Sequence, residues 1–274
     1  MTTDIFSNID ALPADNVKML ADRLDIRSQM DGFAAMRDDY FDRMALADDA
    51  RILELGGGTG IIGRAYAKRS GFIGTYVVSD LSQSLIDYAK EKAKADGVDD
   101  CMEFRVVDAM TGEGLDDQSY DAVILHTILS HVPNPQAVLC TAVKASKLGG
   151  TIAIFDADYS GMVIASGDDQ LDDAVSESLR RNAVAQPTVM RQMPRMAGGM
   201  GLQQLDFIPT VLAEAGDSEF FISLAQAVCN VVVAQGGLDA ELGKKWLAAL
   251  ERAIADNAFF AMNPYFTYLY KCGP

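Results

Sequence analysis

The chain of 274 residues has little positive charge, and this narrows the range of partners. It has 23 lysines and arginines against 39 aspartates and glutamates, which gives a formal net charge of −16. Proteins that bind nucleic acid present basic patches to the phosphate backbone, and anionic membranes attract basic segments. We therefore expect neither a nucleic acid nor a membrane as partner.

Paired cysteines and long apolar runs are also absent from the sequence. The four cysteines are far apart and show no CxxC spacing, so neither a zinc site nor a disulfide framework is indicated. Free thiols in a reducing cytoplasm are the plain interpretation. No apolar run approaches the length of a membrane span, and the first residues lack the basic and apolar regions of a signal peptide. We expect a cytoplasmic protein.

The most informative feature that is present is a group of glycines after a short apolar run. Residues 51–63 read RILELGGGTGIIG, in which residues 51–55 have the length and content of a buried strand. Four glycines then fall within five positions: Gly56, Gly57, Gly58 and Gly60. Glycine permits a tight turn and leaves no side chain between the backbone and a ligand. A strand, a glycine turn and a helix start predict a nucleotide-cofactor site.

Two cofactors fit this turn. Residues 58–63 satisfy the GxGxxG pattern of dinucleotide-binding folds, while residues 54–60 fit the acidic-x-Gly-x-Gly-x-Gly pattern of S-adenosylmethionine (SAM) methyltransferases. Either cofactor needs an acid for its ribose hydroxyls, and Asp80 ends the predicted strand over residues 75–79. Leu81, the next residue, is included in the predicted cofactor site.

Further acids favour SAM over a dinucleotide. Glu54 lies inside the first strand, where it could reach the cationic amino group that SAM has and a dinucleotide lacks. Asp108, followed by Ala109, ends a third predicted strand and could accept a hydrogen bond from the adenine amino group. His126 directly follows a fourth predicted strand and should border the methionine end of the cofactor.

The next stretch resembles a known family. Residues 129–135 read Leu-Ser-His-Val-Pro-Asn-Pro, close to the Leu-His-His-Val-Pro-Asp-Pro of many class I SAM-dependent methyltransferases. Residues 147–150 resemble the family's Leu-Lys-Pro-Gly-Gly signature, with Leu148 in place of the proline. The chain resembles this superfamily, nearest to its ubiquinone-biosynthesis-like small-molecule members, and most strongly over residues 30–160. The resemblance implies SAM as cofactor and methyl transfer to a small molecule, and it leaves the acceptor open.

Strands and helices alternate from residue 51 to 158, which predicts an α/β fold with a mainly parallel sheet covered by helices on both faces. The resemblance implies a Rossmann-like seven-stranded sheet whose last strand is antiparallel, and the aromatic alternation of residues 265–270 suits that strand. Helical spacing predicts N-terminal helices over residues 15–46 with a break at Asp31-Gly32. We predict an N-terminal helical cap over 1–48, a SAM-binding core over 49–158, an inserted substrate-cap segment over 159–201 and completion of the sheet over 202–274.

The candidate acceptor site rests on an uneven distribution of charge. The 28 residues between Glu177 and Asp206 contain no acid, four arginines and four methionines. We hypothesise that this stretch lines a pocket for an apolar acceptor with a carboxylate or phosphate, which arginine binds bidentately. Pairing of the arginines with the acidic surface is the simpler alternative. In the resembling family N-terminal helices close the pocket, so the candidate substrate residues are Arg37, Tyr40, Tyr159, Arg191 and Arg195.

Methyl transfer from a sulfonium is an in-line SN2 displacement, which mainly requires that the nucleophile be held in line with the methyl group. A base is needed only where the nucleophile carries a proton. The candidates are His126, His131 and Asp158, although structural histidines are the commoner outcome. No convincing third ligand accompanies Asp156 and Asp158, so no metal is expected.

Three questions stay open at this point. A SAM-binding fold can serve as a cyclase, a decarboxylase or a binding module without transferring the methyl group. An NAD(P)-dependent oxidoreductase could use the same glycine turn. The oligomeric state is not determined by the sequence, and a homodimer is one option.

Overall fold

The computed structural model describes residues 9–273. Its strands are β1 Arg51–Leu55, β2 Thr75–Asp80, β3 Met102–Val106, β4 Tyr120–His126, β5 Ser146–Ala157, β6 Val163–Ala165, β7 Gln203–Gly216 and β8 Phe259–Lys271. Its helices are α1 Ala14–Gln29, α2 Asp31–Met44, α3 Ile61–Ala67, α4 Gln83–Asp96, α5 Pro135–Ala145, α6 Asp169–Asn182, α7 Val189–Gly199, α8 Phe220–Ala234 and α9 Ala240–Ala255.

The strands form one mixed sheet in the order β3-β2-β1-β4-β5-β8-β6, and β7 also pairs with β8. The pairs β1–β2, β1–β4, β2–β3 and β4–β5 are parallel, whereas β6 and β8 are antiparallel. This arrangement confirms the predicted Rossmann-like α/β fold with an antiparallel last strand. Among the described residues the sheet has one strand more than predicted, because the three-residue strand β6 is too short to show a pattern in the sequence.

The chain divides into two compact units. The first comprises residues 9–156, 192–208 and 266–273 of the described chain, and the second comprises residues 157–191 and 209–265. These units do not follow the four sequence segments predicted above, whose boundaries stay a prediction. Residues 1–8 of the predicted N-terminal cap and Pro274 of the last segment lie outside the described residues.

The first unit contains the parallel strands and the N-terminal helices. The central strands are buried apolar runs, as strands covered on both faces must be. The predicted break in the N-terminal helices falls at Met30, one residue earlier than Asp31, because the backbone of Met30 is extended (φ −62°, ψ 139°).

The second unit has an apolar core of its own. The helices α6, α8 and α9 contribute Val175, Phe221, Trp246 and Leu250, all of them fully buried. The Trp246 indole nitrogen Nε1 donates to Asp172 Oδ1 at 2.9 Å, so the polar atom of this large side chain is satisfied. The core therefore holds α6, α8 and α9 together as one packed body.

A buried ionic group in the first unit joins α1 to the helices that flank the sheet. Arg64 in α3 donates to Asp25 in α1 at 2.5 Å and to Asp96 in α4 at 2.8 Å. Its side chain is only 5% exposed, so the two carboxylates, and not water, stabilise its positive charge. Breaking such a group leaves uncompensated buried charge.

We expect Arg64→Ala to lower the free energy of unfolding by about 3–5 kcal/mol, since Asp25 would lose its cation inside the protein. Lys68→Ala is the matched control, because Lys68 pairs with the same Asp96 from an exposed position. It should cost about 1 kcal/mol or less. Urea unfolding measures both values, and equal effects of the two substitutions would contradict the assignment.

Candidate functional site

The glycine turn after β1 has a backbone that only glycine adopts at low cost. Gly56, Gly58 and Gly60 have φ values of 69°, 52° and 68°. A Cβ atom at Gly56 would lie 2.4 Å from Ile128 Cδ1, so a side chain there would have to displace Ile128 and would also strain the backbone. A Cβ atom at Gly58 would meet nothing closer than 4.0 Å, and one of those neighbours is Asp80 Oδ2. The turn therefore leaves open space beside the Asp80 carboxylate.

Asp80 is fixed at the end of β2 by two backbone hydrogen bonds. Gly58 N donates to Oδ2 at 2.8 Å, and Ser82 N donates to Oδ1 at 2.9 Å. Burial raises the pKa of this carboxyl, and the nearby Asp10 carboxylate raises it further, against the two backbone donors. Leu81, beside it, is 56% exposed. A carboxylate next to an exposed apolar side chain suits a ligand with a diol and an apolar ring.

Asp10 is a residue that sequence reasoning missed. Its carboxylate accepts from Ser82 Oγ at 2.6 Å, Gln83 N at 3.0 Å and Ser84 N at 3.1 Å, so it caps the start of α4. The neighbouring Ile9 is buried in a small apolar cluster with α1. An aspartate more than seventy positions from the helix it caps has no local signal in the sequence.

Asp108 and Ala109 follow β3, the neighbour of β2. Asp108 Oδ1 accepts from Met110 N at 2.8 Å, which fixes the carboxylate within a tight turn, and Ala109 is buried. Because β2 and β3 are parallel, Asp80 and Asp108 lie at the same edge of the sheet. The structure thus brings these two predicted acids to one edge, together with the glycine turn.

Glu54 lies beneath the turn. Its side chain is buried, and Oε2 accepts from the Tyr76 hydroxyl at 3.1 Å, while the Gly63 backbone N–H also donates to the carboxyl. Burial, with a smaller contribution from Asp80, raises the pKa of Glu54 to about 8. The carboxyl is therefore protonated at neutral pH. Its predicted contact with the amino group of SAM stays a prediction.

Two predicted residues from distant parts of the chain meet in the first unit. The Tyr40 hydroxyl and His126 Nδ1 share a hydrogen bond of 2.9 Å, and the His126 ring stacks on Phe155 with centroids 4.5 Å apart. Burial holds the pKa of His126 well below its ordinary value, and the Arg27 and Arg37 guanidiniums lower it further. Burial also raises the pKa of Tyr40. Both groups are neutral at physiological pH.

Arg37 and Arg27 place positive charge near this pair. The Arg37 side chain is 13% exposed and pairs with Asp38 at 2.8 Å. Arg27, which sequence reasoning missed, has a buried Nε atom with no hydrogen-bond partner among residues 9–273. Its guanidinium lies over the Phe33 ring, 5.5 Å from the centroid. An unpartnered buried donor is a candidate contact for an anionic group of a ligand.

The loop after β4 is held in a strained conformation. Thr127 has φ 54°, an unusual value for a β-branched residue, and its N–H donates to Phe155 O at 2.7 Å. Ser130 donates from both N and Oγ to the buried Asp156 carboxylate, each at 2.9 Å. His131 follows, half-buried, with its N–H bonded to Ile128 O. Asp156 thus positions the loop that carries His131.

The second unit contains Asp158, Tyr159 and Arg191. Asp158 is 4% exposed, and its Oδ2 accepts from Arg191 Nε at 2.6 Å, while Tyr159 is also buried. Arg195 lies one turn further along α7, in the first unit, and is exposed. Arg191 is therefore engaged by a buried acid, whereas the simpler alternative expected pairing with the acidic surface. The roles of these residues toward an acceptor stay predictions.

No set of three or more His, Cys, Asp or Glu side chains within residues 9–273 is arranged to hold a metal ion. In the same range, every helix is too short or too polar to cross a bilayer.

The strand, the glycine turn and the acids after β2 and β3 define a Rossmann-like site for a nucleotide cofactor. A family model described as a methyltransferase domain matches residues 46–216, more than half of the chain. The chain belongs to this family of methyltransferase domains. This confirms the predicted class, a SAM-dependent methyltransferase, and the predicted cofactor, SAM. The GxGxxG pattern of residues 58–63 therefore does not indicate a dinucleotide-binding enzyme in this chain.

Curated relatives match over part of their length. The chain is 30% identical over 114 residues to the tRNA 5-carboxymethoxyuridine methyltransferase of Escherichia coli (strain K12), which covers 42% of each chain. It is 28% identical over 120 residues to the ubiquinone/menaquinone biosynthesis C-methyltransferase UbiE of Ruegeria sp. (strain TM1040), covering 44% of this chain and 47% of that one. The matched part thus spans less than half the length of either relative.

Solved structures share the fold over most of the chain. A protein of Bacillus halodurans C-125 superposes with a TM-score of 0.60 at 14% identity, covering 87% of this chain and 99% of that one. A geranyl diphosphate methyltransferase in complex with SAM has a TM-score of 0.53 at 14% identity, covering 86% and 84%. The [4+2]-cyclase SpnF has a TM-score of 0.55 at 17% identity, covering 87% and 80%. At these identities the likeness concerns the fold alone.

We expect Asp80→Ala to weaken SAM binding at least about tenfold, since a charge-assisted hydrogen bond contributes roughly 1.5–3 kcal/mol. Titration calorimetry measures the affinity. Circular dichroism checks that the Asp80→Ala variant is folded. Asp87→Ala is the control, because Asp87 is an exposed acid on α4 that contacts Gln83 and Lys90. An unchanged affinity in Asp80→Ala would contradict the site.

The raised pKa of Glu54 predicts a pH-dependent stability. The folded state holds this proton more tightly than the unfolded state, so Glu54 lowers stability progressively as pH rises from about 4.5 to about 8. Glu54→Gln removes the titration and keeps a polar partner for Tyr76. We expect the variant to gain on the wild type by a few kcal/mol between about pH 5 and pH 9, in urea unfolding without cofactor. A difference that does not change with pH would show that Glu54 does not titrate in this range.

Proposed function

We propose that the protein transfers the methyl group of SAM to a small-molecule acceptor by in-line SN2 displacement. The observation that carries the proposal is the Asp80 carboxylate, held by Gly58 N and Ser82 N beside the open side of the glycine turn. A carboxylate fixed in this way binds a ribose diol without further ordering. The family membership supports the sulfonium cofactor over other nucleosides.

The residues of the first unit fit the parts of SAM. The backbone of the turn at Gly56, Gly58 and Gly60 would contact the cofactor directly. Asp80 and Leu81 would hold its ribose. Asp108 and Ala109 would border the adenine. We assign the methionine carboxylate to Arg27 and Arg37, since Arg27 Nε is buried without a partner among the described residues. When bound, SAM supplies an electrophilic methyl group.

The chain's own task in the reaction is to orient the acceptor, exclude water and, where required, take a proton. His126 is a candidate base of reduced strength, because burial and the two guanidiniums that lower its pKa disfavour its protonated form. Nε2 is able to accept a proton only in the tautomer in which Nδ1–H donates to the Tyr40 hydroxyl. His131 and Asp158 remain the other candidate bases. A C-, N- or O-nucleophile that is already deprotonated needs none of them.

The proposed acceptor is a small molecule and not RNA. The relatives named above are a tRNA methyltransferase and a quinone-biosynthesis methyltransferase, so family membership leaves both acceptor classes open. The formal net charge of −16 favours the small molecule, since each RNA phosphate would meet a predominantly negative surface. Tyr40, Arg37, Tyr159, Arg191 and Arg195 stay the proposed acceptor contacts. The four cysteines are free, which supports the proposed cytoplasmic location.

The proposed homodimer has a candidate surface. Along β7 every second side chain from Leu205 to Ala215 is exposed and apolar, with Leu205 at 51%, Phe207 at 39% and Val211 at 57%. Pro209 has no backbone N–H, so the edge of this strand lacks one of the donors that a strand of another chain would need for pairing. We therefore propose that a second copy of the chain binds to the apolar face of β7 and not to its edge.

Incubation with methyl-labelled SAM tests the proposed function. We offer a low-molecular-weight cell extract and total RNA as separate acceptor pools, and expect label in the first pool only. Asp80→Ala should lose most of this label, whereas the Asp87→Ala control should keep it. Label in RNA would overturn the acceptor class. Firm SAM binding with no labelled product in either pool would instead point to a cofactor-binding protein of this fold without methyl transfer.

A further inference from the structure

The hydrogen bond between Tyr40 and His126 has a direction that burial determines. Tyr40 is 0% exposed, and its hydroxyl has a single hydrogen-bond partner among residues 9–273, His126 Nδ1 at 2.9 Å. A tyrosine hydroxyl carries one proton, and a buried donor without an acceptor is costly. The hydroxyl therefore donates to Nδ1, because in the opposite arrangement its own proton would have no acceptor.

This direction decides the tautomer of His126. A neutral imidazole carries its proton on one ring nitrogen and offers the lone pair of the other. His126 is neutral, since burial and the guanidiniums of Arg27 and Arg37 lower its pKa. Nδ1 uses its lone pair to accept from Tyr40, so the ring proton is on Nε2. In this tautomer Nε2 donates a hydrogen bond and has no lone pair that would take up a proton.

The imidazole ring is also held in position. It stacks on Phe155, the residue beside it in β5, with ring centroids 4.5 Å apart. The Tyr40 ring stacks on the same phenyl group at 6.1 Å, and the Thr127 N–H donates to Phe155 O at 2.7 Å. The direction of the Nε2–H bond is therefore fixed before a ligand binds, which lowers the ordering cost of binding.

His126 lies at the edge of the sheet where the cofactor site is proposed. In the parallel pair β1–β4 Glu54 lies beside Ile124, so Gly56 and His126, each two positions further, follow the same edge and the same face. Ile128 packs on Gly56. Nε2 has no hydrogen-bond partner within residues 9–273 and is not one of the fully buried polar atoms of that range, so a ligand is able to reach it.

The surroundings favour an anionic oxygen as the partner of the Nε2–H group. The charges of Arg27 and Arg37 act on the ring, although Asp38 offsets part of the Arg37 charge. Arg27 Nε is a second donor without a partner among the described residues. Donors in a positive surrounding bind a charged oxygen more strongly than a neutral one. Such an oxygen occurs in the methionine carboxylate of SAM and in ionised acceptors such as carboxylates and phenolates.

We infer that Tyr40 holds His126 in the Nε2–H form, so that His126 serves as a hydrogen-bond donor to an anionic oxygen of the bound ligand and not as a base. Tyr40 is the positioning residue in this arrangement. The inference rests on the proposed function for the identity of the ligand, which is either SAM or the methyl acceptor. It leaves His131 and Asp158 as the candidate bases for an acceptor that carries a proton.

Nitrogen NMR of the imidazoles gives the first test and needs no ligand. The chain has only two histidines, so comparison with His131→Asn assigns the signals of His126 in protein with isotope-labelled histidine. Near neutral pH we expect a protonated Nε2 and a bare Nδ1. Tyr40→Phe should make the Nδ1–H form detectable, because it keeps the ring and removes the hydroxyl.

Tyr76→Phe is the matched control for this test. It removes another buried hydroxyl, which donates to Glu54 at 3.1 Å, and it should leave the His126 signals unchanged. A protonated Nδ1 in the wild type would overturn the inference. Identical His126 signals in the wild type and in Tyr40→Phe would also overturn it, since Tyr40 would then not set the tautomer.

Substitution of His126 distinguishes a donor from a base. His126→Gln keeps an amide donor near the position of Nε2 and is no base, whereas His126→Leu removes the donor at similar volume. Calorimetry measures the affinities for S-adenosylhomocysteine, the demethylated product of SAM, and for methylthioadenosine, which lacks the methionine carboxylate. His126→Ala replaces His126→Leu if that variant folds poorly.

The two sources of the oxygen give different results. If it belongs to the cofactor, His126→Leu should lose at least about tenfold in affinity for S-adenosylhomocysteine and nothing for methylthioadenosine. If it belongs to the acceptor, both affinities should stay and transfer of methyl label to the small-molecule pool should fall by a similar factor. In either case we expect His126→Gln to remain within about threefold of the wild type.

Three results of these measurements would contradict a donor role: equal losses in His126→Gln and His126→Leu, equal losses for the two nucleosides, or no loss in affinity or transfer. The fate of the proposed function is separate, because tautomer and affinities are measured without an acceptor. Binding of S-adenosylhomocysteine that depends on His126, with no labelled product, would keep the donor and remove methyl transfer. Labelled product from a protein with the His126 proton on Nδ1 would do the reverse.

Discussion

The pair of backbone hydrogen bonds to Asp80 is the interaction on which the proposed cofactor site depends. Gly58 N and Ser82 N each satisfy one carboxylate oxygen, so a single side chain joins the glycine turn to the start of α4. The turn is able to donate in this way only because Gly56, Gly58 and Gly60 adopt positive φ values. The carboxylate that is to bind a ligand is thereby held before the ligand arrives, which removes part of the ordering cost of binding.

Both units contain buried polar groups that are satisfied and buried polar atoms without a partner among residues 9–273; in the first unit the latter include Arg27 Nε and Thr59 Oγ1. In the first unit Asp156 is satisfied by Ser130, and the neutral Tyr40 and His126 satisfy each other. In the second unit Asn263 is fully buried without a partner among the described residues. Satisfied buried groups make a scaffold rigid, whereas unsatisfied ones store a free energy that a ligand releases.

Much of the fold could be predicted from the sequence, because its signals are local. The turn at residues 56–60 and the strand ending at Asp80 follow from glycine content and apolar runs. The C-terminal strand was recognised from its aromatic alternation, although β8 begins at Phe259, six residues before the predicted start. Periodicity and turn chemistry act over a few residues, so a single sequence displays them directly.

The features that escaped prediction depend on residues far apart in the chain. Tyr40 and His126 were each candidates, but nothing local indicates that positions 86 residues apart share a hydrogen bond. Asp10 caps α4 from outside the helix, and Asn263 is one polar residue inside an apolar strand. A buried amide and an exposed one are identical in the sequence. Only the fold distinguishes them, because burial is a property of the neighbours.

Glu54 and Asp80 show how the same chemical group acquires two roles at one turn. Glu54 lies under the glycines between Tyr76 and the Gly63 N–H, where burial and the Asp80 charge raise its pKa to about 8. Asp80 lies at the open side, where two backbone donors oppose the effect of burial on its pKa. Two charged carboxylates so close would repel each other, and protonation of the inner one relieves that repulsion.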